Sequence, residues 1–170
     1  PAFLVGEGAG KEIAASLGVP FYGCSHQEGH VLSALHSAGV MDWLHEEFYA
    51  FHVSGGTTEC LLVRPDGTRF QIERLAGTLD LNAGQLIDRT GLMLGLAFPC
   101  GMELDKLSLQ WEEPMKAKAS LKGLDCCLSG GENQAAQLHR QGYPPAAVAR
   151  FAIEFVRSAI GGMTERVMER

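Results

Sequence analysis

Apolar residues recur most regularly at the end of the chain, where their spacing of three or four residues predicts one long helix over residues 145–170. The residues of its apolar stripe are Val148, Phe151, Ala152, Phe155, Ala159 and Met163. Shorter helical patterns cover residues 83–94, 102–110 and 132–140. The second half of the chain is therefore predicted to be mostly helical.

The middle of the chain predicts a β-meander. Apolar and β-branched residues favour strands at 48–53, 59–64 and 69–76. A glycine-rich turn at 54–57 (Ser-Gly-Gly-Thr) joins the first two strands, and Pro-Asp-Gly at 65–67 joins the last two. Three sequential strands followed by helices indicate an α/β fold.

The first quarter of the chain predicts two helices separated by a strand. The first helix covers residues 6–17, the strand covers 19–24, and the second helix runs from 26 to about 37. A connector follows over residues 39–47. The side chains expected to anchor the second helix and the connector are Val31, Leu32, Leu35, Trp43 and Leu44.

Two histidines stand at the start of the second helix, four residues apart, so His26 and His30 share one helical face and can bind one metal ion. Ser25 and Glu28 have the spacing of a capping box, which makes Glu28 a cap that faces away from the metal. The zincin protease motif needs Glu directly after the first His, where this chain has Gln27. The alternative to a metal site is a pair that arose by chance and is solvated. Two ligands are in any case too few, since a metal site needs three or four.

Composition excludes several classes of function. The 170 residues are 46% hydrophobic and 20% charged, as in an ordinary soluble globular chain with one core or two small lobes. The net charge of −6 argues against a broad nucleic-acid-binding face, so charge for an RNA substrate would lie on a partner or a missing segment. Five cysteines without a C-x-x-C motif predict a reducing compartment. We find no signal peptide and no membrane-spanning apolar run.

The turn at 54–57 has the residue types of a phosphate site. Its two glycines let backbone amides approach an anion, and Ser or Thr hydroxyls add hydrogen-bond donors. The alternative is that the glycine pair only forms a hairpin turn, which needs no ligand. The sequence of the turn leaves both interpretations open.

Two later segments have the residue types of a nucleotide site. Gly84 and Asp88 share a face at a helix start, where a ligand could approach the backbone and bond to Asp88. The alternative is that Asp80 caps this helix and Asp88 is solvated. The helix start at Gly101, with Asp105 one turn into the helix, is another natural anion or hydroxyl site.

In order along the chain, these motifs are His-x-Glu-Gly-His, Ser-Gly-Gly-x-Thr, Asp-x-x-x-Gly-x-x-x-Asp and Gly-Leu-x-Phe-Pro-x-Gly-x-x-x-Asp. Their order and spacing resemble the TsaD/Gcp family. Its members were formerly named O-sialoglycoprotein endopeptidases or glycoproteases and are now understood as tRNA adenosine threonylcarbamoyltransferases. The resemblance runs from about residue 6 to the end and includes Leu-Ser-Gly-Gly at 128–131, where members often have Phe-Ser-Gly-Leu.

The resemblance implies a partial actin-like ATPase fold (ASKHA, RNase H-like), with residues 1–46 as the tail of the first lobe and 47–170 as most of the second. It implies a divalent metal, iron or zinc, at His26 and His30. The substrate-binding residues that it implies are Ser54, Gly55 and Gly56 at the phosphate region, with Asp88, Gly101 and Asp105 at an adenylate or ATP-type nucleotide. It assigns no catalytic residue.

The implied reaction transfers a threonylcarbamoyl group from threonylcarbamoyl-adenylate to the exocyclic amine of the tRNA adenosine beside the anticodon. The metal would act as a Lewis acid and template. The implied partners are tRNA, held with the help of partner proteins, a paralogous TsaB-type subunit and a TsaE-type ATPase, in the cytoplasm and without a membrane. Oligomer formation stays open. The alternatives are a non-catalytic paralogue acting as a binding or dimerisation module, and the older metalloglycoprotease assignment.

The chain departs from the family pattern at Gln85, Cys100 and Met102, where most members have Glu, Gly and Pro. The family's opening strand, its adenine-binding Asn and its third metal ligand, an Asp, are not found, and the chain opens with Pro rather than Met. We therefore expect a fragment, truncated at both ends and inactive alone.

His52 precedes Ser54 by two residues, where some archaeal-type members carry a Tyr ligand. A three-His site is one hypothesis, and a packed strand histidine is the alternative.

Overall fold

The structure is a computed structural model that describes residues 2–67 and 69–170. The chain packs as two compact units. The first holds the described residues up to Glu47 together with Arg64–Gln71, and the second holds Phe48–Val63 and Ile72–Arg170. The assignment of residues 1–46 and 47–170 to two lobes of an actin-like fold stays a prediction.

The first unit contains the two predicted helices, α1 (Ala2–Leu17) and α2 (His26–Ala38), followed by a short 3₁₀ helix (Met41–His45). Helix α2 buries Val31 and Leu35, which confirms its predicted packing face. It ends at Gly39, whose left-handed backbone (φ 71°) suits glycine and whose N–H donates to carbonyl oxygens of the last turn.

Residues 19–24, predicted as a strand, have no regular structure. The ring of Phe21 lies against α1, where a Cβ added to Gly10 would stand 2.8 Å from Phe21 Cε2. All six residues of this segment are exposed, so its apolar pattern does not mark a buried strand. Trp43, expected to anchor the connector, is 46% exposed, so its role as an anchor stays a prediction.

The second unit is built around a three-stranded sheet in the order β1-β2-β3, which confirms the meander. Its strands are β1 (Phe48–Val53), β2 (Thr58–Pro65) and β3 (Phe70–Gly77). The last two residues of β2 and the first two of β3 fall in Arg64–Gln71, which is counted with the first unit. β1 and β2 pair antiparallel, from Phe48 opposite Val63 to Val53 opposite Thr58. The central strand β2 is the most buried, as its two neighbours require.

All four helices predicted for the second half are confirmed. They are α3 (Ala83–Met93), α4 (Gly101–Ser108), α5 (Ser129–Arg140) and α6 (Pro145–Met168). The predicted stripe of α6 is buried along its length, and α3, α4 and α5 all pack on α6. No helix among the described residues has the length and apolar character needed to cross a membrane.

A short hairpin lies between α4 and α5 and was missed by the sequence analysis. Its strands are β4 (Ser120–Lys122) and β5 (Asp125–Cys127), joined through Gly123 with φ 61°. Strands of three residues are too short to show an alternating pattern. The chain is thus an α/β protein with a small antiparallel sheet and packed helices.

Candidate functional site

The first turn of α2 brings the two predicted metal ligands together. The Nε2 atoms of His26 and His30 lie 3.0 Å apart, and their rings meet edge to face with centroids separated by 4.3 Å. An ion with metal–nitrogen bonds of about 2.0–2.1 Å holds adjacent ligand nitrogens about 2.9–3.4 Å apart. Both side chains are exposed. The pair therefore has the separation and access that two ligands of one divalent ion need.

Glu28 caps α2, as predicted. Its backbone N–H donates to Ser25 Oγ at 3.1 Å, and its Oε2 accepts the Ser25 N–H at 2.5 Å. Its Oε1 accepts the N–H of Phe70 at 3.2 Å. The backbone hydrogen bond from Ser25 is the main reason that the pKa of Glu28 lies below its ordinary value. One carboxylate oxygen is engaged in the cap and the other by the Phe70 N–H, so Glu28 does not have the environment of a protease general base.

A third metal ligand is not identified. Across residues 2–67 and 69–170, no group of three His, Cys, Asp or Glu side chains is arranged to hold an ion. His52 lies opposite Glu59 in the β1–β2 ladder, with its Nδ1 3.5 Å from Glu59 Oε1. The role of His52 as a third ligand stays a prediction.

The turn after β1 is closed by its own serine. The hydroxyl oxygen of Ser54 accepts the N–H groups of Gly56 and Thr57 at 3.2 and 3.1 Å, and the Ser54 N–H donates to Thr57 O at 2.7 Å. One of the two glycine amides expected to hold a phosphate, that of Gly56, is thus bonded to the Ser54 side chain, as is the amide of Thr57. The N–H of Gly55 has no acceptor among the described residues.

The same turn is attached to the start of α3. The Gly84 N–H donates to Ser54 O at 3.1 Å, and the Ala83 N–H donates to the buried Thr58 Oγ1 at 2.8 Å. A Cβ on Gly84 would lie 2.7 Å from Gly55 Cα. The close backbone approach expected at Gly84 is therefore made by the protein itself and not by a ligand.

Asp88 belongs to α3, and its carboxylate reaches the start of α4. Its Oδ1 accepts the backbone N–H of Cys100 at 2.9 Å, and Cys100 is the residue directly before Gly101. Asp88 therefore lies beside Gly101, and the role of the two residues in binding a nucleotide stays a prediction. Asp105 lies one turn further along α4 and is exposed.

The starts of α3 and α4, the two helix starts predicted to bind a nucleotide, differ in how many of their N–H groups are already bonded. At α3, the N–H groups of Ala83 and Gly84 are bonded to the turn, and Asn82 rather than Asp80 forms the capping box with Gln85. At α4, no acceptor among the described residues reaches the N–H groups of Gly101 or the two residues after it. Exposed N–H groups at a helix start attract anions and hydroxyl oxygens. The start of α4, beside Asp88, is thus the better candidate for a ligand oxygen.

Two residues whose side chains hold the site together were not predicted from the sequence. Thr58 Oγ1 ties the turn to α3, and its signal was the Thr pair that follows the glycines. Asp80 was considered only as a cap of α3, yet its carboxylate bonds to the start of α5. Residues 48 and 49 positions apart make that contact, so no local pattern could reveal it.

A model of the TsaD family, described as tRNA N6-adenosine threonylcarbamoyltransferase, matches residues 1–169. The chain belongs to this family. The TsaD family is named for transfer to a tRNA adenosine, so the chain is a member of an enzyme family that modifies tRNA. The resemblance seen in the motifs is thereby confirmed.

Individual relatives carry the same name. The tRNA N6-adenosine threonylcarbamoyltransferase of Thermus thermophilus is 34% identical over 171 residues, which cover 99% of this chain and 50% of the relative. That of Granulibacter bethesdensis is 36% identical over 146 residues, 79% of this chain and 38% of the relative. That of Thiobacillus denitrificans is 42% identical over 107 residues, 63% and 30% respectively. The chain thus spans half or less of the length of these curated relatives.

Proposed function

We propose that this chain provides the metal-binding helix and most of the adenylate site of an enzyme that transfers a threonylcarbamoyl group to tRNA. The donor would be threonylcarbamoyl-adenylate, and the acceptor would be the exocyclic amine of the adenosine beside the anticodon. The observation that carries the proposal is the hydrogen bond from Cys100 N–H to Asp88 Oδ1. It sets a carboxylate beside an open helix start, a combination suited to the hydroxyl and phosphate oxygens of a nucleotide.

In this proposal each residue has a separate task. Asp88 would accept a ribose hydroxyl with the carboxylate oxygen that does not hold Cys100, and the N–H of Gly101 would donate to a ligand oxygen. The N–H of Gly55 would donate to the phosphate region, because Ser54 already occupies the other two amides of the turn. Asp105 would bind a further hydroxyl one turn along α4.

His26 and His30 would hold a divalent iron or zinc ion, whose two nitrogen ligands from this chain have a fitting separation of 3.0 Å. When bound, the ion would supply Lewis-acid chemistry at the acyl-phosphate. The engagement of Glu28 as a cap speaks against the older metalloprotease alternative. The non-catalytic paralogue remains the other candidate, and the histidine pair favours the enzyme over it.

The same proposal includes the fold of the whole enzyme, its compartment and its partners. The fold would be part of an actin-like ATPase architecture, with residues 1–46 and 47–170 in different lobes. The enzyme would act in the cytoplasm with tRNA, a TsaB-type subunit and a TsaE-type ATPase. Because only two metal ligands are found among the described residues, we expect no tRNA modification by this chain alone. Robust modification by it would contradict that expectation.

A nuclear magnetic resonance titration with AMP tests the nucleotide site on this chain. We expect shifts at the amides of Gly101 and Gly55, and about tenfold weaker binding for Asp88→Asn, as loss of a charge-assisted hydrogen bond implies. The control is Glu103→Gln, which removes one charge from the first turn of α4, the helix that begins at Gly101. Binding that shifts other amides and is unaffected by Asp88→Asn would overturn the proposed site.

A further inference from the structure

The segment between β3 and α3 is fixed at both of its ends. Its first residue, Thr78, donates its N–H to Thr58 O at 2.9 Å and its hydroxyl to Leu81 O at 2.8 Å. Its last residues lead directly into Ala83 and Gly84, whose N–H groups bond to Ser54 and Thr58. The turn together with Thr58 is called the 54–58 turn below. The position of this segment therefore determines how α3 meets the turn.

The segment is attached to β5 by the Leu79 N–H, which donates to Cys126 O at 2.9 Å, and Asp80 is the side chain that attaches it to α5. Its Oδ1 accepts the N–H groups of Leu81 at 2.6 Å, Leu128 at 2.7 Å and Ser129 at 3.3 Å. Its Oδ2 accepts the Ser129 hydroxyl at 2.6 Å. Three of these four bonds come from the two residues that begin α5. Asp80 thus joins the start of α3 to the start of α5.

The charge of Asp80 is well suited to this place. The start of a helix carries partial positive charge from its free N–H groups, and a carboxylate there is stabilised. Burial acts to raise the pKa of Asp80, but the Ser129 hydroxyl and the amides of Leu128, Leu81 and Ser129 outweigh it and leave the pKa below its ordinary value. The carboxylate therefore stays ionised and bonded at neutral pH.

The helix that Asp80 anchors is itself held tightly. A Cβ added to Gly131, in the first turn of α5, would stand 2.6 Å from the ring of Phe155. Phe155 is a fully buried residue of α6. The start of α5 is thus fixed to the central helix of the unit, and it provides a rigid support for the carboxylate of Asp80.

From these contacts we propose that Asp80 is a positioning residue for the ligand site. It holds the segment before α3 against α5, and so keeps Ala83 and Gly84 bonded to the 54–58 turn. Asp80 does not touch the ligand and would act only through this chain of bonds. Its role in ligand binding rests on the proposed function, whereas its hold on the turn does not.

Amide hydrogen exchange on the full 170-residue chain tests the hold directly. In Asp80→Asn, the N–H groups of Ala83 and Gly84 should open about tenfold more often relative to global unfolding, because one acceptor and its charge are lost. The control is Asp125→Asn, since Asp125 Oδ1 accepts a single backbone N–H, that of Gly77, at 2.8 Å. Its loss of global stability should leave the local opening of residues 83 and 84 unchanged.

AMP affinity of the same variants separates the two levels of the proposal. We expect about fivefold weaker binding for Asp80→Asn and wild-type affinity for Asp125→Asn. Unchanged local opening at Ala83 and Gly84 in Asp80→Asn would overturn the positioning role, whatever the affinities. If AMP fails to bind even the wild-type chain while the exchange effect appears, the hold is supported and the proposed nucleotide site is wrong.

Discussion

Gly84 and Gly55 meet backbone to backbone, so closely that a Cβ on Gly84 would lie 2.7 Å from Gly55 Cα. The Gly84 N–H reaches Ser54 O at 3.1 Å across the same contact. The glycine of the Asp-x-x-x-Gly-x-x-x-Asp motif is therefore needed for packing of the helix on the turn.

Gly84→Ala should destabilise the protein by about 1–3 kcal/mol, because the added methyl group must push the turn backbone aside. The control is Gly161→Ala in the interior of α6, where nothing would lie within 4 Å of the new Cβ and the helix should gain about 0.5–1 kcal/mol. Urea unfolding monitored by circular dichroism gives both values. Equal effects of the two substitutions would show that the 54–58 turn yields easily.

The sequence predicted most of the fold because helices and the meander are specified by local patterns. The stripe of α6 and the turns that bound β1 and β2 are read from neighbouring residues. The strand predicted at residues 19–24 was wrong because an apolar run is not by itself evidence of burial, and all six of these residues are exposed. Composition cannot distinguish a short exposed apolar segment from a strand that pairs in a sheet.

The site was predictable in part for the same reason. The His26/His30 pair follows from helical spacing alone, and its capping box from Ser25 and Glu28. The hydrogen bond between Asp88 and Cys100 was not foreseen, although both residues lay in recognised motifs. The bonds of Asp80 join distant parts of the chain, so only the folded structure reveals them.

Metal binding should depend on both histidines of α2. His26→Ala and His30→Ala should each weaken Zn²⁺ binding at least about tenfold, as expected when one of few ligands is lost. The control is His36→Ala, because His36 is exposed in the last turn of the same helix. Isothermal titration calorimetry measures the affinities. An equal loss in His36→Ala would mean that zinc binds the helix without using the pair.

Glu28 should make the stability of the chain depend on pH. Its folded pKa lies below the ordinary value of 4.5, so the ionised cap stabilises the folded state above that pH. This contribution should be lost as pH falls through the lower, folded pKa. Glu28→Gln should cost about 1 kcal/mol at neutral pH and show a flatter decline of stability in acid. Unfolding curves from pH 7 to about pH 3 test this, and parallel declines in both proteins would contradict it.

Gly91 and Cys100 should behave as a coupled pair. A Cβ on Gly91 would stand 2.3 Å from the Cβ of the buried Cys100, so Gly91→Ala should cost about 1–3 kcal/mol. Cys100→Gly removes the obstructing side chain, and the double variant should recover at least about 0.5 kcal/mol relative to the sum of the single effects. A double-mutant cycle in urea measures the coupling. Additive effects would indicate that the backbone moves apart instead.

The five cysteines should differ sharply in reactivity with a thiol reagent. Cys24 is exposed, whereas Cys60, Cys100 and Cys126 are buried. Burial raises the pKa of Cys126 to about 11, and it also raises the pKa of Cys60 and Cys100. Because the thiolate is the reactive form, Cys24 should be labelled first and these three only when the second unit opens. Mass spectrometry of timed iodoacetamide labelling identifies the modified sites. Labelling of Cys126 as early as Cys24 would mean that β5 opens readily in the folded chain.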